Sequence, residues 1–366
     1  MQRIETSAPG RICLFGEHHD YLNLPVIAQA IDLRVRILGE YDPSYGCTTP
    51  SCIFHLPDLG TTERFTPSTH PKYTHDRDYL QSVFAVLIRH GVGITQSHAI
   101  TIKGEIPINS GTSSSSAMIS ALIKYLLTTA NHPDRDNLHQ IALWANEAEV
   151  TEFGEAGGWM DHFACTFGNT LFIDASNNYE VTLLRNPPGT FILIDSGEPK
   201  DTVSILRRVK MGVIDALLAL RSIDPTFNMM SSPLDHALDC AKRLPSPAKE
   251  LVIGNIHNRE LTQAARFLFE GSSWSDEELG RLLTQHHYYL DTYLGVSTPK
   301  INRLLEAAIA AGALGGKING SGGGGCLFVY APQYQERIAE AVMKEGGTPY
   351  LVHSDTGVTE DMRLDS

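Results

Sequence analysis

Across residues 26–38 (VIAQAIDLRVRIL), Ile31, Leu33, Val35 and Ile37 alternate with Asp32, Arg34, Arg36 and Leu38. This is close to period two and predicts a strand; residues 11–15 (RICLF) are a shorter run of the same kind. The alternation is lost over 41–76, where Pro, Gly, Thr and His recur, and a long excursion with short strands is expected there. Residues 79–90 predict a helix and 98–103 a strand. The next helix carries a polar stripe of Ser116, Ser120, Lys124 and Thr128 and an apolar one of Met118, Leu122 and Leu126, so it should be amphipathic and lie on a sheet. A helix follows at about 136–152, after a break at Pro133–Asp134, then a strand-like stretch at 169–195 and a helix at about 201–220. Beyond this the chain is helix-rich. Pro299 opens a helix with Ile301, Leu304, Leu305 and Ala308 inward and Gly312 at its end. The strand CLFVY (326–330) precedes one more helix and strand. The order is α+β, with a break near 185–190.

Composition narrows the function. At roughly 100–200 residues per domain, 366 residues hold about two domains. Hydrophobic residues make up 42% and charged residues 19%, enough for a packed core. Lys plus Arg number 29 against 42 for Asp plus Glu, a net charge of −13 with no long basic stripe. Nucleic-acid and membrane partners are therefore not expected. No apolar run is long enough to span a bilayer, and MQRIETSAPG lacks a signal-peptide pattern. The six cysteines show no metal spacing and are too sparse for a disulfide framework. A cytoplasmic protein with free thiols is expected.

Three glycine- or serine-rich segments carry candidate chemistry. In SAPGRICLFGEHHD (7–20), a strand bearing Arg11 runs into Gly16 and then Glu17, His18, His19 and Asp20. Such side chains suit hydrogen bonding to a polyhydroxylated ligand, although a solvated turn has the same composition. In PINSGTSSSSA (107–117), four serines at a helix start expose backbone N–H groups where the helix dipole is positive, and a serine hydroxyl can ligate Mg²⁺. This is phosphate-loop logic without the Walker sequence. In KINGSGGGGC (317–326), the glycines precede a strand rather than follow one, which argues against a dinucleotide fold and for close backbone approach. Between these segments, Glu149 shares a helical stripe with Ile141 and Ala145, with Glu147 and Glu152 as rivals for any role, and Asp161 follows the glycine-loosened turn GEAGGWM.

Together the segments resemble the GHMP kinase family, in that family's order and across most of the chain. APGRICLFGEHHDY is similar to its first motif, PINSGTSSSSA to its second and KINGSGGGGC to its third; WMDHF and LGVSTPKINRLLEAA also match. The resemblance implies two domains, 1–187 with a fold like the second domain of ribosomal protein S5 and 188–366 with a ferredoxin-like fold. The active site would lie between them. It implies phosphoryl transfer from ATP to an alcohol, with Mg²⁺. Pro107, Ser110, Gly111, Thr112, Ser113, Ser114, Ser115 and Ser116 would wrap the ATP phosphates. Ser115, or Ser114 one register away, would ligate Mg²⁺ with Glu149. Asp161 would sit at the acceptor hydroxyl as general base or orienter, with Arg11 close enough to keep it ionised at neutral pH. Gly320, Gly322 and Gly323 would support the phosphate loop.

The acceptor is read from GEHHDY, which resembles the galactokinase pattern. Glu17, His18 and Asp20 would then bind sugar hydroxyls and Gly158 would abut the ring, in a kinase acting on the anomeric hydroxyl of a galactose-like hexose. Two features pull toward mevalonate kinases: Asp20-Tyr21 runs almost directly into Leu24-Pro25, and 24–37 and 295–330 have their tone. A third alternative is a sensor that binds sugar and ATP without transfer. It would require damage at Asp161, Glu149 or the serine segment, and none is evident.

Overall fold

The computed structural model describes the whole chain except residues 45, 108–110, 201 and 366. The two alternating runs form strands longer than the pattern indicated: β1 (Gln2–Phe15) and β2 (Val26–Tyr41). They pair antiparallel, with a register shift between Pro9 and Gly10. The excursion after β2 holds a hairpin of β3 (Cys52–Leu56) and β4 (Thr61–Phe65). β5 (His98–Gly104) lies between β2, antiparallel, and β3, parallel. β6 (Thr170–Asp174) pairs with the first residues of β2, and β7 (Glu180–Leu183) pairs with β6. A second, antiparallel sheet contains β8 (Phe191–Asp195), β9 (Gly315–Ile318), β10 (Cys326–Tyr330) and β11 (Thr348–Val352), in the order β11-β8-β10-β9. The 185–190 break falls between β7 and β8, where the chain leaves one sheet for the other. The chain then returns: β12 (Thr359–Asp365) pairs with the outer edge of β1. A cut at residue 187 thus leaves one strand of the first sheet in the downstream segment.

Helices cover both sheets. Asp78 caps α1 (Tyr79–Arg89) by accepting from the Gln81 N–H. α2 (Ser114–Thr129) departs from the expected amphipathic form: Ser116, Ser120, Lys124 and Thr128 are as buried as its apolar stripe. The reason is that α2 packs not only on the sheet but also against α1, α3 (Leu138–Asn146) and α4 (Met160–Phe167). The stripe is used internally. The Lys124 ammonium reaches Arg135 O and Asp136 Oδ1, each at 2.7 Å, and Thr166 donates to Ser120 at 3.2 Å. The helix expected over 136–152 is α3 followed by one π turn, Glu147–Thr151.

Downstream lie α5 (Thr202–Ile223), α6 (Leu234–Ala241), α7 (Ala248–Glu270), α8 (Asp276–Thr292), α9 (Pro299–Ala310) and α10 (Gln335–Lys344). α9 follows its sequence pattern closely. Thr298 caps it, Pro299 opens it, and Ile301, Leu304, Leu305 and Ala308 are buried. An apolar cluster including Ile12, Phe15, Ile27, Phe191 and Phe328 joins the two sheets. Burial of such surface yields about 25 cal/mol per Å², so the sheets are held by a shared core. No helix among the described residues is long and apolar enough to cross a membrane.

Candidate active site

A cavity of about 600 Å³ opens where the end of β1, the start of α2, the start of α4 and the loop after β9 meet. Each of the three glycine- or serine-rich segments contributes to its wall.

The serine segment forms a loop that ends in α2. Gly111 has φ +85, and a Cβ there would lie 2.9 Å from Asn319 O, so both conformation and space call for glycine. Ser113 is left-handed (φ 63) immediately before the helix. Ser114, Ser115 and Ser116 form the first turn, whose N–H groups have no intrahelical acceptor. This is the geometry of an anion site. Ser110 lies outside the described residues. Pro107 precedes the loop and does not line the cavity, and Thr112 is buried behind it, its carbonyl accepting from Arg11 N at 3.1 Å.

Glu149 stands opposite this turn. Its Oε1 accepts from Ser115 Oγ at 2.5 Å, and its Oε2 accepts from Ser116 Oγ at 2.7 Å and pairs with His162 Nε2 at 2.9 Å. Glu149 sits on the π turn, whose extra residue per turn departs from ordinary helical spacing. Two hydroxyls and a carboxylate are hard oxygen donors suited to Mg²⁺.

Arg11, buried on β1, spans the site. Its Nε and Nη2 hold Asp161 Oδ1 at 2.7 and 2.6 Å, and its Nη1 donates to Gly111 O at 2.6 Å. Burial pushes the Asp161 carboxyl up, but the Arg11 charge and the Arg11 hydrogen bond hold it below its usual value. The carboxylate is about one-third exposed, open to the cavity. Arg11 is pushed the other way: burial lowers it, and Asp161 and Glu17 raise it above its ordinary value.

Lys200, which sequence reasoning missed, completes the cationic side. Its Nζ lies 2.3 Å from where a Gly111 Cβ would be. Burial and the Arg11 charge pull its ammonium down to about 8. Two neighbouring cations at a helix start make a site for an anion. Lys200 has no flanking motif; only the path of the loop after β8 brings it here.

The acceptor candidates line the other end. Glu17 is buried and paired at 2.8 Å with Lys317, itself fully buried on β9. His18 has both ring nitrogens engaged, Nδ1 with Tyr21 Oη at 2.8 Å and Nε2 with Ser321 O at 3.2 Å. Burial lowers its pKa to about 4, so the ring is neutral and acts as a brace. Asp20 Oδ1 accepts from Tyr21 N at 2.9 Å and Oδ2 from Met160 N at 3.3 Å. Burial raises the Asp20 carboxyl, as does nearby Asp161. Gly158 abuts this carboxylate: a Cβ would stand 1.8 Å from Asp20 Oδ2.

The third segment divides its work. A Cβ on Gly320 would come within 2.9 Å of Gly111 O. Gly322 and Gly323 instead pack on Val296 and Ile205, away from the serine loop. The bracing side chain is Asn319, another residue sequence reasoning missed. Its Nδ2 donates to Gly111 O at 2.9 Å, and its Oδ1 accepts from Cys13 N at 2.9 Å, tying the loop to β1.

Comparison with known proteins agrees with this geometry. Residues 78–169 match the GHMP kinases N terminal domain, 275–348 the GHMP kinases C terminal domain and 2–40 the galactokinase galactose-binding signature, together over half of the chain. The chain is 28% identical to the mevalonate kinase of Thermococcus onnurineus, over 97% of this chain and 98% of that one. It is 25% identical to the galactokinase of Pyrococcus furiosus, over 94% of each. Among solved structures, Lactococcus lactis galactokinase complexed with galactose superposes with a TM-score of 0.82 at 21% identity, covering 98% of this chain and 95% of that one. Methanococcus jannaschii mevalonate kinase gives 0.71 at 19%, covering 97% and 98%. The fold is the two-domain α+β fold of these kinases, which use ATP as phosphate donor. The chain belongs to the GHMP kinase family and is a phosphotransferase with an alcohol group as acceptor.

Proposed function

We propose that the chain transfers the γ-phosphoryl group of ATP to a sugar hydroxyl, the anomeric hydroxyl of a galactose-like hexose. The observation that carries this reading is the Asp20 carboxylate. Backbone amides of Tyr21 and Met160 hold it at the cavity wall, with Asp161 and Glu17 as its charged neighbours. Lys317 pairs with Glu17 and Arg11 with Asp161, whereas among the described residues the Asp20 oxygens accept from backbone amides and form no ion pair. Such a wall repels an acceptor carboxylate and hydrogen-bonds a neutral polyol. The match of residues 2–40 to the galactokinase galactose-binding signature supports the same reading.

In this reading, the ATP phosphates lie against the first turn of α2, with Lys200 and Arg11 as their cations. Ser115 and Glu149 would hold Mg²⁺, with His162 orienting the carboxylate. When bound, that ion neutralises charge on the phosphates. Asp161, ionised at neutral pH, orients the acceptor hydroxyl and takes its proton as the oxygen bonds to phosphorus and ADP leaves. Arg11 donates toward the transferring group.

A mevalonate acceptor is the second reading, favoured by the 28% identity to mevalonate kinases over nearly the whole chain. A coupled ADP-release assay with Mg-ATP separates the two. The panel is galactose, N-acetylgalactosamine, glucuronate, galacturonate, arabinose, fucose, mannoheptose and mevalonate. Turnover of a neutral hexose is expected. Turnover of mevalonate alone overturns the sugar reading. ATP binding without turnover of any acceptor shifts weight to a sensor.

A further inference from the structure

Away from the cavity, three side chains of different chemistry converge where α5 gives way to α6. His236 and Cys240 are four residues apart on α6 and so share one face. Asp224 follows the last residue of α5. Cys240 Sγ lies 3.5 Å from Asp224 Oδ2 and 3.7 Å from His236 Nε2, and Nε2 lies 3.6 Å from Oδ2. A tetrahedral zinc ion, bonded to sulfur at about 2.3 Å and to nitrogen and oxygen at about 2.0–2.2 Å, separates its ligand atoms by about 3.4–3.6 Å. The three edges therefore outline one face of such a tetrahedron before any ion is placed.

Two further features support this. Asp224 Oδ1 is committed to the local turn, accepting from Thr226 N at 3.0 Å and Thr226 Oγ1 at 2.6 Å. The other oxygen remains for the cluster. Cys240 Sγ stands 3.7 Å from Nε2 and 4.0 Å from Nδ1, in line with neither, and Asp224 Oδ2 is 3.6 Å from Nε2, so the ring does not bridge thiol and carboxylate as a relay requires and the arrangement suits a shared cation better than a nucleophile. Cys240 is buried and His236 is 40% exposed, which leaves a fourth, solvent-side position.

We propose that Asp224, His236 and Cys240 bind one zinc ion, with water as the fourth ligand. The ion ties the α5–α6 turn to an apolar cluster of Leu220, Phe227, Met229 and Ala237 that Cys240 itself joins. That cluster reaches Leu22, next to Tyr21, so the site also steadies the ground beneath the acceptor end of the cavity.

The test uses the full chain, stripped of metal and kept in a thiol-free reductant, and titrates in Co²⁺ as a coloured substitute for zinc. A thiolate-to-cobalt charge-transfer band is the readout. The Ser115–Glu149 pair has no thiol and cannot produce it. The expected result is a band saturating at one Co²⁺ per chain, bleached by Zn²⁺ and absent in Cys240→Ala. His236→Gln, at a partly exposed position where folding should persist, is expected to weaken binding roughly 10- to 100-fold or more, since even loss of an outer-sphere partner costs that much. No band in the parent protein, a band that survives Cys240→Ala, or unchanged affinity in His236→Gln would each overturn the proposal.

Discussion

The Asp20 carboxylate occupies the volume that a side chain on Gly158 would need, with Oδ2 only 1.8 Å from the position of a Cβ there. Asp20 is short and held by two backbone amides, so it cannot yield without losing them. Gly158→Ala should therefore act through Asp20. Both Gly158→Ala and Asp20→Ala are expected to raise KM for the sugar roughly 10- to 100-fold, as loss of hydrogen bonds to a charged group does. KM for ATP should change little. Equal effects on both substrates would remove Asp20 from acceptor binding.

Asp161→Asn keeps the shape of the side chain and removes its charge. The Arg11 pairing is then lost and the acceptor hydroxyl has no anionic partner. A drop in kcat of roughly 10²- to 10⁴-fold is expected, with ATP binding by calorimetry preserved. Near-normal turnover would take Asp161 out of the reaction. In the parent enzyme Asp161 is held below its usual carboxyl pKa. It is therefore already charged through the neutral range, and its loss of activity should appear only in acid.

Lys200 supplies the opposite limb. Its ammonium loses its proton near pH 8, lowered by burial and by Arg11, so its charge is present below that pH and vanishes above it. KM for ATP should rise as pH passes about 8. Lys200→Arg, which stays protonated, should flatten that rise. Lys200→Gln should show a high KM at every pH. A rise that persists unchanged in the arginine variant would assign it to another group.

Lys317 and Glu17 form an ion pair with side chains only 0% and 3% exposed. Lys317→Met leaves the Glu17 charge buried and unpaired. Denaturant unfolding should show a loss of about 3–5 kcal/mol. Adding Glu17→Gln should recover part of it, because the stranded charge is then removed.

The period-two and 3.6-residue patterns located β2, α1 and the inward face of α9, since each depends on neighbours close in the chain. Arg11, Asp161, Ser115 and Glu149 were legible because each sits in or beside a recognisable segment. Lys200 was not, because no segment marks it and only packing brings it in, and Asn319 and Lys317, although inside the third segment, take their roles from partners far away in the chain, on the serine loop and at the end of β1. The same holds for α2: a stripe of serines with a lysine reads as a wet face until other helices are seen to cover it.

The return of β12 to β1 also has a consequence for how the molecule is made. During synthesis β1 emerges well before the strand that covers its outer edge, with the whole second sheet translated between them. Until then that edge presents unpaired backbone groups that can recruit another nascent chain. The first sheet can be completed only after translation of the second has finished, which makes this edge the place where assembly and aggregation compete.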